Sequence, residues 1–197
     1  LAEPGGRLRL YENDGRGFFH EAPDRMGAAL RVGHMGVHLV DIDGDFDVDC
    51  FGPNRTGRAT TGHDLLRNDG RGFFHDESAK IPATTGGVYE ADVADLDGDG
   101  DLDLFFTSLS ETEAENTRFP LGEGPMRNRL AEDGELGFEK GEALGQDDDN
   151  EVALLDYDQD GDLDAFIGSL GPMEKVLRND GGMVFTRADG VVEVRAD

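Results

Sequence analysis

One cysteine, no tryptophan and three tyrosines occur among 197 residues, and only 18 lysines and arginines stand against 44 aspartates and glutamates. A lone Cys50 cannot make an internal disulfide, so the disulfide framework of many small secreted domains is excluded. The net charge of −26 excludes proteins that hold a phosphate backbone, which need surfaces rich in lysine and arginine. No run of about 18 apolar residues is present, so no helix is expected to span a membrane. No basic segment followed by an apolar one opens the chain, as expected where any secretion signal has been removed. No stretch keeps a 3.6-residue apolar period, and essentially no helix is expected. Hydrophobic residues make up 37% of the chain, which implies a core of short elements. Cys50, next to an acidic loop and inside a strand, is expected to be buried and inert.

Glycine, by contrast, is abundant at 29 residues, which points to many turns. The acids are not scattered. Asp41-Ile-Asp-Gly-Asp-Phe-Asp-Val-Asp49, Asp95-Leu-Asp-Gly-Asp-Gly-Asp-Leu-Asp103 and Asp156-Tyr-Asp-Gln-Asp-Gly-Asp-Leu-Asp164 start 54 and then 61 residues apart. A second motif alternates with them, centred on Asn13, Asn68, Asn128 and Asn179. Phe19, Phe74 and Phe185 follow three of these by six residues, and the third copy has a longer turn before Phe138. From each Asn to the next Asp loop the distances are 28, 27 and 28 residues; from each loop to its own Asn they are 27, 33 and 23. A repeat with one constant and one variable half describes a scaffold with surface loops. Short apolar segments flank every loop and every Asn turn, and Asn-Asp-Gly suits a tight hairpin. The fold class is therefore all-β, built from repeated units of four short strands.

Five carboxylates in nine residues repel one another unless a cation holds them. Calcium takes six to eight oxygen ligands, and alternating aspartates in a tight loop supply them. Side chains at positions 1, 3, 5 and 9 would ligate: Asp41, Asp43, Asp45 and Asp49; Asp95, Asp97, Asp99 and Asp103; Asp156, Asp158, Asp160 and Asp164. Position 7, occupied by Asp47, Asp101 and Asp162, would offer its backbone carbonyl. An EF-hand fails, because position 12 holds Gly52, Phe106 and Ile167 instead of glutamate. Magnesium prefers fewer carboxylates and more water. The bland alternative is a solvated acidic turn. Phe46 replaces the glycine of position 6 in loop one, which is expected to make that site the weakest.

The two motifs together resemble the FG-GAP/VCBS repeats, the calcium-binding blades of integrin-α-like β-propellers. The resemblance runs from about Leu8 to Val191. It implies four-stranded antiparallel blades near 37–76, 88–140 and 150–187, with strands 3 and 4 of an earlier blade at 7–20, about three and a half blades of one propeller. Propellers have four to eight blades, so the rest is expected from a longer chain or from other copies of this one. The resemblance also implies an Asp loop between strands 1 and 2 and an Asn turn between strands 3 and 4. The variable loops would then gather on the opposite face. Asn54, Arg55, His63, Glu113, Arg118 and Phe119 are the ligand contacts expected there.

His20 and His75 are repeat residues. His34 and His38 offer a transition-metal pair as the sharper alternative to a structural role. No Gly-x-Ser-x-Gly, His-Glu-x-x-His or phosphate-binding loop is present. The expected function is a calcium-stabilised, non-catalytic binding or adhesion module for a protein or glycan. Its expected location is extracellular, at the cell surface or periplasmic. A polysaccharide-acting enzyme, or an accessory domain of one, and an architectural spacer are the alternatives.

Overall fold

The computed structural model describes residues 8–27, 33–34, 36–55, 60–85, 87–109, 124–142, 144, 149–169 and 174–192. In chain order the first strands are β1 (Tyr11–Asn13), β2 (Phe19–Glu21), β3 (His38–Val40), β4 (Asp49–Gly52), β5 (Thr60–Thr61), β6 (Asp64–Asn68), β7 (Phe74–Asp76) and β8 (Thr84–Thr85). There follow β9 (Gly87–Ala94), β10 (Asp103–Leu109), β11 (Gly124–Asn128), β12 (Phe138–Lys140), β13 (Asp149–Leu155), β14 (Asp164–Ser169), β15 (Lys175–Asn179) and β16 (Phe185–Arg187).

They form three four-stranded antiparallel sheets, β3-β4-β6-β7, β9-β10-β11-β12 and β13-β14-β15-β16. These are propeller blades one, two and three. The pair β1-β2 stands before them as a separate two-stranded antiparallel sheet. A small ribbon, β5-β8, ties the 2–3 connection of blade one to the segment entering blade two. Neighbouring blades meet along their first strands, where the Val152 amide donates to Glu90 Oε2 at 3.3 Å.

Side-chain alternation along each second strand explains why the blades stack. Leu104 and Phe106 enter the layer between blades one and two, with Phe51, Leu65 and Met126. Phe105, between them in sequence, enters the layer between blades two and three, with Ala165, Ile167 and Leu177. Cys50 and Leu66 pack with Leu8. The core is thus a set of interblade layers, and one strand serves two of them because successive residues point to opposite faces. Each fully buried Phe contributes about 1.5–3 kcal/mol, so blades are held by their neighbours. Burial also pushes the Cys50 thiol up to about 12, as suits an inert core residue.

One local expectation is corrected. A single helical turn, α1 (Leu130–Asp133), fills the longer third Asn turn. Gly134 ends it at φ +71°, where only glycine is unstrained. Short 3-10 turns also lie at Pro23–Arg25 and Ser78–Lys80. The Asn-Asp-Gly segments join antiparallel strands as hairpin turns. Five residues separate β1 from β2, and the same number separates β6 from β7. Asn68 Oδ1 accepts the amides of Gly70 and Gly72, while Asp69 Oδ1 accepts those of Arg71 and Phe73. The side chains organise the turn through local hydrogen bonds.

Candidate metal centres

Each Asp loop joins the first and second strands of its blade. The position-1 carboxylate acts as its internal template. Asp41 accepts the amides of Asp45 and Phe46, both at 3.0 Å. Asp95 accepts those of Gly98 and Gly100, and Asp156 those of Asp160 and Gly161. The position-5 carboxylates of Asp45, Asp99 and Asp160 accept the position-7 amides at 3.0, 3.0 and 3.1 Å. These bonds coil the backbone so that alternating side chains converge.

The convergence is uneven. One oxygen from each of Asp41, Asp43 and Asp45 lies within 4.8 Å of the others, and the same holds for Asp95, Asp97 and Asp99. In loop three the trio is Asp156, Asp158 and Asp164, without Asp160. Asp49 and Asp103 do not enter a cluster. They and Asp164 are fully buried, and both oxygens of each take backbone amides. Asp103 accepts from Leu96 at 2.9 Å and Asn128 at 2.8 Å. Asp49 binds Ile42 and Asn68 in the same way, and Asp164 binds Tyr157 and Asn179. Position 9 thus clamps the loop to the third strand. Asp47 and Asp162 stay outside the clusters, and Asp101 joins a different one, with Asp99 and Glu132.

The Asn residues extend this clamp across blades. Asn128 Nδ2 donates to Leu102 O in its own loop at 3.1 Å and to Ile42 O in the preceding loop at 3.2 Å. Asn179 does the same with Leu163 O and Leu96 O. Asp loops and Asn turns therefore share one end of the blades.

The clusters could hold metal ions. Asp43 Oδ1 is buried and accepts no hydrogen bond, an orphan that a cation would satisfy. Burial, then the like charges of Asp49 and Asp45, raises the Asp43 carboxyl above the usual range. Burial and then Asp99 raise Asp97; desolvation and then Asp160 raise the exposed Asp158. Burial carries Asp103 up to about 7. Carboxyls that resist ionisation among their own kind suit a hard dication, which reverses that preference.

Loop strain refines the order of the sites. Position 4 takes positive φ as well as position 6. Gly44 and Gly98 hold position 4, but loop three places Gln159 there at φ +64°. Loop one places Phe46 at position 6 at φ +71°. Only loop two has glycine at both, so loops one and three share a cost of about 1–2 kcal/mol for one left-handed residue. Phe46 is 94% exposed and loses no packing on replacement. Phe46→Gly is expected to raise stability by about 1 kcal/mol and to tighten metal binding at loop one. Denaturation with and without calcium measures both, and an unchanged midpoint would count against the strain.

The expected ligand face is divided by burial. His63 is fully buried against Phe51 and Phe106, with ring centroids 6.3 and 5.0 Å away. Its Nδ1 accepts the Asn54 amide at 3.1 Å, and Nε2 meets Thr84 Oγ1 at 3.0 Å. Asn54 is buried too. Both sit inside the joint between blades one and two instead of meeting solvent. Arg55 is half-buried, with its guanidinium 4.5 Å over the Tyr89 ring. Glu113, Arg118 and Phe119 lie outside the described residues.

His34 and His38 do not pair. His38 packs on Phe51, while His34 is buried with Nε2 2.9 Å from Asp64 Oδ2 and Nδ1 3.3 Å from Pro53 O. Both acceptors are satisfied together only when both ring nitrogens carry protons. Blade three has a buried Asp149–Lys175 pair at 2.7 Å. Strand registers place Asp149 opposite Ser169 and His34 opposite Asn54, each five residues beyond the position-9 aspartate. Asp64 and Lys175 also correspond, opposite Gly52 and Ile167. The two buried acid–base pairs thus occupy one place in two blades, with acid and base exchanged between the strands. In blade two Val88 and Gly124 stand there.

This repeated unit of Asp loop, clamp and Asn turn has a counterpart among known families. Residues 57–106 match the FG-GAP-like repeat. The matched FG-GAP-like segment straddles two blades, running from the 2–3 connection of blade one to β10 of blade two and including loop two. No curated protein matches the chain in sequence. The fold is similar to that of a solved lectin from Agrocybe aegerita, described as recognising non-reducing terminal N-acetylglucosamine. The TM-score is 0.52 at 18% identity, covering 93% of this chain and 46% of that one. The chain spans less than half the length of that lectin.

Proposed function

We propose that the chain is part of a calcium-stabilised, non-catalytic β-propeller that binds a glycan outside the cell or in the periplasm. The observation that carries the proposal is the set of three acidic loops, clamped at one end of the blades beside cross-blade asparagines. The likeness in fold to a lectin supports a glycan over a protein as ligand. Calcium holds the loops, and the interblade layers hold the blades. The variable connections at the other end offer the recognition surface, with Arg55 there lying over Tyr89 of β9. A planar guanidinium over an aromatic ring gives a sugar both an apolar face and hydrogen-bond donors.

Further blades complete the propeller. Phe51 and Phe105, two residues after the position-9 aspartate, are fully buried by the next blade. Phe166, at the same place in blade three, is 37% exposed and faces onward. A glycan array that includes terminal N-acetylglucosamine, read with calcium and after chelation, tests the function. Calcium-dependent binding to a defined group of glycans is the expected result. Silence on the array would favour the spacer, and turnover of a polysaccharide would favour the enzyme.

A further inference from the structure

Blade two carries a carboxylate cluster outside the first, third and fifth positions of its Asp loop. One oxygen from each of Asp99, Asp101 and Glu132 lies within 4.8 Å of the others. Glu132 belongs to α1, which occurs only in the longer third Asn turn, so neither of the other blades has its counterpart. The insertion also fixes Asp101. The Ala131 amide donates to Asp101 Oδ2 at 2.8 Å. Asp101 is 8% exposed, while Asp47 and Asp162 at the same loop position are half-buried.

The decisive atom is the other oxygen of that carboxylate. Asp101 Oδ1 is buried and accepts no hydrogen bond. A buried carboxylate oxygen without a partner is costly. No ion pair reaches Asp101 among the described residues. The nearest cations instead touch Glu132 loosely, with Arg127 Nη1 at 3.8 Å and Arg129 Nη1 at 4.0 Å from Oε1. Both lie beyond hydrogen-bond length, and Arg127 is already committed to Asp97 at 2.9 Å.

We propose that Asp99, Asp101 and Glu132 form an additional divalent-cation site, in which a hard cation such as calcium bridges loop two to α1. Asp99 has two oxygens and serves both this ion and the ion of loop two. Three carboxylates leave room for water in a shell of six to eight oxygens, so the affinity belongs with that of extracellular calcium modules, at about 10⁻⁴–10⁻³ M. The ion adds a second link between loop two and the α1 insertion, beside the Ala131–Asp101 hydrogen bond.

The site rests on the proposed calcium reading of loop two only through Asp99. Equilibrium dialysis against millimolar calcium counts the bound ions on the full chain. The wild type is expected to bind one ion more than its three loops account for. Glu132→Gln and Asp101→Asn are each expected to lose one ion and keep the other three. Glu139→Gln, which changes an exposed carboxylate near Arg129 outside the cluster, is expected to lose none. Three ions in the wild type and in Glu132→Gln alike would overturn this site and leave the loop sites standing. No bound ion in any of the proteins would overturn both.

Discussion

Removing calcium is expected to lower the melting temperature by roughly 15–30 °C. Each site filled at about 100 times its Kd adds ~2.7 kcal/mol when the unfolded chain does not bind, so three loops add roughly 8 kcal/mol. A domain has only ~5–15 kcal/mol in total, and 1 kcal/mol moves the midpoint of a chain this long by about 2–4 °C. Magnesium at equal concentration is expected to restore little of the loss. The metal-free protein should also respond to pH in a definite direction. Asp103 is raised to about 7 by burial in the folded state, against 3.8 when unperturbed. The folded state therefore keeps a proton that the unfolded chain releases first. The stability this contributes is complete below about pH 4 and is lost as the pH rises through about 7. Asp43, Asp97 and Asp101 are raised by burial and act with the same sign. Calcium bound in loop two would favour the ionised carboxylates, so the gap between calcium-loaded and metal-free midpoints should widen from pH 4 to 7. A melting series in both states measures it. An unchanged midpoint on chelation would remove calcium from the account.

Lys175→Met is expected to destabilise the protein by about 3–5 kcal/mol, because it leaves Asp149 buried without its cation. The ammonium lies 2.7 Å from Asp149 Oδ2, and both side chains are almost wholly buried. Changing Asp149 to Leu in the same protein should return most of the loss, since removing both charges is often neutral when packing is kept. Blade two already closes with Val88 and Gly124 at these positions, so the fold does not require ions there. Urea unfolding of the two variants, with calcium held constant, gives both numbers. A single variant as stable as the wild type would show that Asp149 is solvated.

Much of the fold was legible because the repeat announces itself. The Asp loops and Asn turns mark the strand boundaries near them, and the segment after the longer third turn forms a strand from Phe138. Sequence reasoning missed features that depend on distant residues meeting. Nothing local to Asn128 reports that its amide reaches Ile42 in the previous blade. The role of position 9 was hidden as well, because an aspartate that clamps two amides and one that binds a cation are the same letter. His63 looked like a loop residue because its neighbours are polar, yet the β5-β8 ribbon beside it closes over a joint. The helical turn at Leu130–Asp133 was too short for any period to show. One signal was available and unused: aligning the repeats on their ninth aspartate places His34 with Asp149, and aligning them on the Asn of the turn places Asp64 with Lys175.

Those inverted ion pairs bear on how nearly identical blades find their own strands. A chain of repeats can fold with the first strand of one blade laid against the second and third strands of another, because backbone ladders and apolar alternation look alike in each. Exchange between blades one and three would bring Asp149 beside Asp64, two carboxylates in a dry interior. The reciprocal error would set His34 beside Lys175, two basic groups with no acid between them. Either mistake loses an attraction and gains a repulsion away from water, where like charges cost most. The polarity of each pair thus sets blades one and three apart, while blade two, with Val88 and Gly124 there, carries no such mark.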